Sequence, residues 1–97
     1  MAEITVQPSD RQPVPSTFHV TIRDDDSSTE HDVTLSASDF DRLGTKHGTP
    51  DDFVRACFEF LLDREPKESI LPRFDVSAIS RYFPEFESTI QGLDPTS

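Results

Sequence analysis

The sequence predicts a single α+β domain, in which a β-hairpin packs against a central helix and two or three short helices. Two stretches alternate apolar and polar residues, as half-buried strands do. A third stretch has apolar residues at helical spacing behind a strong capping signal. Leu, Ile, Val and Phe account for 25 of the 97 residues, which is enough for a folded domain with a small core.

The chain divides into a proline-rich arm, one domain and a short tail. Residues 1–15 contain three of the eight prolines and few apolar side chains, so we expect a disordered arm. Within that arm Ile4 and Val6 alternate with polar residues and can add a third strand at the edge of the hairpin. The domain covers residues 16–91, and residues 92–97 form a disordered tail.

The hairpin is predicted from two alternating runs and the turn between them. Val20 and Ile22 lie in the first run, and Val33 and Leu35 lie in the second. Residues 24–30, DDDSSTE, have turn composition throughout. Favourable cross-strand pairs result if Ile22 faces Val33 and Val20 faces Leu35.

The central helix is predicted to run from Pro50 to about Glu65. Thr49 offers an N-cap hydroxyl, proline suits the first turn, and two aspartates follow at the positive end of the helix. Its apolar side chains cover a broad arc, which is typical of a helix that touches neighbours on two sides. One apolar face contains Phe53, Ala56, Cys57, Phe60 and Leu61.

Shorter helices are predicted on both sides of the central helix. One begins at Ser38 and ends at Gly44, and a helical turn runs from Pro66 to Leu71. Another is capped by Asp75 and covers Val76–Phe83, and a last one follows Pro84. The apolar residues of this half are expected in the core: Ile70, Leu71, Phe74, Phe83 and Phe86.

The charge of the chain disfavours several classes of partner. Nine Lys and Arg residues stand against nineteen Asp and Glu residues, for a net charge of −10. Nucleic acids and anionic membranes both need basic surface, so neither is expected as a partner. The chain has seven arginines but only two lysines, and twelve aspartates, a balance that suits a surface adapted to high salt. With no signal-peptide pattern and no apolar run of membrane length, a cytoplasmic location is expected.

The sequence predicts no catalytic residue, no metal site and no cofactor, and hence no enzyme. Three histidines do not converge, and the lone Cys57 lies on an apolar helix face as a small hydrophobic residue. The acidic turn that begins at Asp24 lacks the glycine and the closing glutamate of a calcium loop. None of the three glycines belongs to a phosphate-binding loop.

Two functions are compatible with these features, and a further alternative, an enzyme, would need a concave pocket with convergent titratable groups. The first is a non-catalytic protein-interaction or adaptor domain, whose strand edges also allow a homodimer. The alternative is a small regulatory DNA-binding protein, because segment 53–83 has the size of a helix-turn-helix. Basic residues clustered on one exposed face would favour DNA binding, and basic residues scattered over the surface would weaken that alternative. The candidate interaction surface consists of Arg64, Lys67, Arg73, Arg81 and Tyr82.

The stretch from Phe58 to Glu87, FEFLLDREPKESILPRFDVSAISRYFPEFE, resembles a small prokaryotic family of uncharacterised proteins. The resemblance covers roughly residues 16–90 and rests on a REPKESIL-like element, Arg64–Leu71, and a YFPE-like element, Tyr82–Glu85. It implies the same order of strand pair, phenylalanine-rich helix and short helices. It implies no catalytic residue and no ligand. Pro72 departs from the family pattern. Its ring restricts the backbone between the first element and Phe74.

Overall fold

Four strands form one mixed sheet in the order β1-β2-β3-β4. They are β1 (Glu3–Pro8), β2 (Thr17–Arg23), β3 (Ser28–Thr34) and β4 (Arg73–Asp75). The computed structural model describes residues 2–8, 17–24, 26–44 and 47–91. The α+β class is confirmed, and β1 is the edge strand that the alternation of Ile4 and Val6 allowed. This part of the predicted arm is therefore a strand, whereas its residues 9–15 and the tail 92–97 lie outside the described residues.

The hairpin pairs β2 with β3 in a register that differs from the predicted one by four residues. Phe18, not Ile22, lies opposite Val33, and Ile22 lies opposite Thr29. The turn is shorter than DDDSSTE because the Asp24 carboxylate accepts hydrogen bonds from the backbone N–H groups of Asp26 (3.2 Å) and Ser27 (3.1 Å). The Asp24 N–H also donates to the Ser27 carbonyl at 2.9 Å. This Asx-type turn lets β3 begin at Ser28, so β2 and β3 pair over more residues than a turn of residues 24–30 would allow.

The helices are α1 (Ala37–Asp39), α2 (Pro50–Leu62), α3 (Ser77–Tyr82) and α4 (Phe86–Ile90). Thr49 caps α2 as predicted, since its hydroxyl accepts from the Asp52 N–H at 3.2 Å. The helix ends at Leu62 rather than at Glu65. The first short helix is capped by Ser36 and continues as a π-helical segment, Phe40–Gly44. A 3₁₀ turn, Lys67–Ser69, follows α2.

The strand β4 was not predicted from the sequence. It has three residues, follows Pro72 and pairs in parallel with β3, with Phe74 opposite Val33. Asp75 then accepts a hydrogen bond from the Ser77 N–H at 2.9 Å at the start of α3. A lone apolar residue in so short a strand leaves no alternating pattern to detect.

One apolar core lies between the sheet and the helical layer. The predicted face of α2 is confirmed, because four of its five residues are buried and Ala56 is partly buried against the core. The expectation that Leu71 is a core residue is wrong, since it is 47% exposed. The remaining core residues come from every larger element and include Phe18, Val20, Ile22, Val33, Phe58, Val76, Ile79 and Phe86. None of the described helices is long and apolar enough to cross a membrane.

Candidate interaction surface

Lys67, the first residue of the 3₁₀ turn, is buried rather than available at the surface. Its side chain is 6% exposed, and its ammonium donates to Asp24 at 2.5 Å and to Glu68 at 2.6 Å. The hydrogen bond from Lys67 lowers the pKa of the Asp24 carboxyl below its ordinary value, and likewise that of Glu68. Lys67 therefore joins the hairpin turn to the segment after α2.

Arg64 is held against the helical layer. Its guanidinium lies 3.6 Å from the centroid of the Phe60 ring and donates to the Phe60 carbonyl at 3.2 Å. The Glu85 carboxylate is 3.9 Å from Arg64 Nε. Arg64 thus connects the end of α2 to the start of α4.

Arg73 and Arg81 lie in two further places. Arg73, 85% exposed, belongs to the outer face of the sheet, where its Nε lies 3.8 Å from Asp32. Arg81 is on the exposed side of α3. Partial burial disfavours the charge of Asp75, but hydrogen bonds from Ser77 and Thr34, helped by the charge of Arg81, lower its pKa overall. The four basic residues are scattered, and this scatter weakens the DNA-binding alternative.

Tyr82, the fifth predicted residue, lies at an open apolar cleft. The cleft, about 290 Å³, is formed by the end of α2, the segment after the 3₁₀ turn, β4 and α3. In the described part of the chain, Leu71 (47%) and Tyr82 (68%) are the large hydrophobic side chains left exposed, and both line it. The lining residues are Leu61, Glu65, Ser69, Ile70, Leu71, Phe74, Ala78, Ile79, Tyr82 and Phe83.

Glu65 is the acidic group at this cleft. Its side chain is half-buried, and no basic group of the described residues lies within 4 Å of its carboxylate. The neighbouring bases are engaged elsewhere: Arg64 by Glu85 and Lys67 by Asp24. As far as the described ranges go, the cleft therefore combines an apolar lining with a carboxylate that has no basic partner.

A second polar cluster lies on the outer face of the sheet, around His19. Its Nδ1 is 2.9 Å from Asp32, the residue directly across in β3, and its Nε2 is 2.8 Å from Glu30. Ionised carboxylates only accept, so this geometry favours the imidazolium form, in which both ring nitrogens donate. The hydrogen bond to Asp32, followed by that to Glu30, raises the pKa of His19 above its ordinary value. Sequence reasoning missed this cluster because it depends on the true register of β2 and β3.

The remaining candidates for chemistry are structural. His31 is buried between the Leu71 carbonyl (2.8 Å, Nδ1) and the Thr29 hydroxyl (2.9 Å, Nε2). His47 Nε2 lies 2.7 Å from the Ile90 carbonyl. Cys57 is a free, buried thiol whose pKa is raised by burial, so it is a poor nucleophile at neutral pH. Within the described ranges, no three His, Cys, Asp or Glu side chains are grouped to hold a metal ion.

Comparisons with family models, with curated proteins and with solved structures found no match to this chain. The resemblance of Phe58–Glu87 to a prokaryotic family therefore stays a prediction.

Proposed function

We propose that this protein is a non-catalytic protein-interaction domain that binds an apolar segment of a partner protein in the cleft. One observation carries the proposal: the two exposed large hydrophobic side chains, Leu71 and Tyr82, line the same cleft. Single exposed apolar residues are ordinary, but apolar residues grouped around a concave surface are typical of a binding site. Tyr82 adds a polar tip to a large apolar ring, a combination enriched where proteins bind one another.

The charges favour a partner segment that carries Lys or Arg beside its apolar residues. Among the described residues no basic group lies within 4 Å of the Glu65 carboxylate at the cleft, and the chain as a whole carries a net charge of −10. Arg73 and Arg81 are not among the residues that line the cleft, and Arg73 lies on the outer face of the sheet beside Asp32. A basic partner would be attracted over a distance and would pair with Glu65 on docking.

The test compares cleft variants with a matched surface variant. The double variant Leu71→Ser with Tyr82→Ser removes the exposed apolar side chains, and Arg81→Ser changes a residue of the same helix outside the cleft. Each protein captures partners from a host lysate at the host's own ionic strength, and the captured partner is then purified and titrated. We expect the double variant to lose roughly tenfold or more in affinity, and Arg81→Ser to bind like the wild type.

Two results would argue against the cleft. One is equal affinity of the double variant and the wild type for the purified partner. The other is capture of nucleic acid with an affinity that falls steeply with salt and depends on Arg73 and Arg81, which would restore the DNA-binding alternative.

A further inference from the structure

The free edge of β4 lies beside the cleft. In a parallel pair, alternate residues of one strand direct their N–H and C=O groups to the other strand. The Pro72 carbonyl accepts from the Asp32 N–H at 2.8 Å, and the Val76 N–H donates to the Thr34 carbonyl at 2.9 Å. By this alternation, the backbone groups of Arg73 and Asp75 point away from β3.

These outward groups have no hydrogen-bond partner among the described residues. No contact within hydrogen-bond distance joins the N–H or C=O of Arg73 or Asp75 to another described backbone group or side chain. Two donors and two acceptors therefore stand at the edge, in the spacing that an added strand pairs with.

The edge and the cleft share Phe74. It lies at the centre of β4, opposite Val33 on the inner side of the sheet, and it also lines the cleft. Because successive strand side chains point to opposite faces, a strand beside β4 would direct every second side chain to the inner side, where the cleft lies. A bound helix would fill the cleft but would leave the four backbone groups of β4 unpaired.

We propose that the partner segment binds as an extended strand added to the edge of β4. Its alternate apolar side chains enter the cleft beside Leu71 and Tyr82, and a Lys or Arg pairs with Glu65. This inference rests on the proposed function, since it specifies how the segment lies in the same cleft. The backbone hydrogen bonds supply orientation, and the cleft selects the apolar side chains.

The experiment separates backbone pairing from side-chain contacts on both molecules. The probes are short synthetic peptides in which Val, Ile or Phe alternates with Thr and Lys. Each has two counterparts: one N-methylated on the residues that would pair with β4, and one with the same residues rearranged at helical spacing. On the protein, Arg73→Pro removes an outward N–H, and Arg73→Ala is its matched control, since it removes the same side chain and keeps that N–H.

We expect the alternating peptides to bind and to protect the Arg73 and Asp75 amide protons from hydrogen exchange. N-methylation and Arg73→Pro should each weaken binding roughly tenfold, and Arg73→Ala should bind like the wild type. Should Arg73→Pro unfold the domain, the N-methylated peptides give the same test on the wild-type chain.

Three results would overturn the added strand: equal binding of the N-methylated peptides, stronger binding of the helical peptides, or no binding by any peptide of the panel. If binding is lost in the Leu71→Ser, Tyr82→Ser variant but not by N-methylation, the cleft stands and only the strand geometry fails. If the double variant binds every peptide like the wild type, the proposed function fails as well. Concentration-dependent dimers that protect the same amides without peptide would assign the edge to a second copy of the chain.

Discussion

The segment from Lys67 to Leu71 has two sides. They differ in how far their polar groups are paired and their apolar groups are covered by the rest of the described chain. On one side, Lys67 is buried and bonded to Asp24 and Glu68, and the Leu71 carbonyl lies 2.8 Å from His31. On the other side, the Leu71 side chain faces the cleft together with Tyr82, and Glu65 has no basic neighbour among the described residues. We call the first the closed side and the second the open side.

The two sides separate residues that stabilise the fold from residues that are available to a partner. A buried polar group that loses its hydrogen-bond partner destabilises the folded state, so the residues of the closed side are needed for stability. The open side leaves apolar surface in water, which folding alone does not require. Substitutions on the closed side should therefore change stability, and those on the open side should change binding.

Phe60 and Tyr82 give the largest expected contrast. Phe60 is buried, with the Phe83 and Phe86 rings at 5.8 and 5.1 Å and Arg64 stacked on it. Phe60→Ala should lower the free energy of unfolding by about 3–5 kcal/mol, because it removes a buried ring and leaves a cavity. Tyr82→Ala should lower it by about 0.5 kcal/mol at most. Chemical denaturation measures both, and similar losses would mean that Tyr82 belongs to the core.

Lys67→Met tests the ion pairs of the closed side while it keeps much of the buried chain. The pKa values of Asp24 and Glu68 are lowered in the folded protein, so their contribution to stability is present above their unfolded values and is lost as the pH falls. At pH 7 the variant should unfold at a lower denaturant concentration than the wild type. The difference between the two midpoints should become smaller below pH ~4. A gap that is the same at both pH values would contradict the ion-pair account.

His19 should make the outer face of the sheet weakly dependent on pH. Its pKa is raised in the folded protein by Asp32 and Glu30, and Arg73 Nε lies 3.8 Å from the Asp32 carboxylate. The stabilisation is therefore full below the unfolded pKa of ~6.5 and is lost as the pH rises through the folded value. His19→Gln, which cannot titrate, should remove this part of the pH dependence. Melting temperatures of the wild type and of His19→Gln, measured across this pH interval, test the prediction. Identical pH profiles for the two proteins would contradict a contribution of His19.

Salt is expected to stabilise the whole domain. A charge of −10 on 97 residues implies self-repulsion, which added potassium chloride screens. The melting temperature should rise between low and molar salt. A flat or falling temperature would show that screening of ion pairs such as Lys67–Asp24 outweighs the repulsion.

The sequence was informative where an element is defined by local chemistry. Thr49 and the apolar face of α2 could be predicted because caps and helical spacing are local features. The register of β2 and β3 could not, because Asp24 forms a tight turn and the polar His31 occupies an inward position. The strand β4 contains one inward residue, Phe74, and pairs across 41 positions of the chain.

The candidate site was less predictable than the fold. Of the five residues singled out, Tyr82 lies at the cleft, whereas Lys67 is buried by Asp24, which lies far away in the sequence. A lysine surrounded by polar residues gives no sign that its partner is a distant turn. For Leu71 the prediction was wrong in the opposite direction. An apolar residue beside Ile70 is normally expected in the core, and here it is exposed.

We propose that the open side serves binding and does not stabilise the fold. The most direct measurement takes the Leu71→Ser, Tyr82→Ser variant and determines its free energy of unfolding and its affinity for the purified partner under the same conditions. We expect the free energy of unfolding to stay within about 0.5 kcal/mol of the wild type while the affinity falls roughly tenfold or more. Unchanged affinity together with a large loss of stability would contradict this proposal.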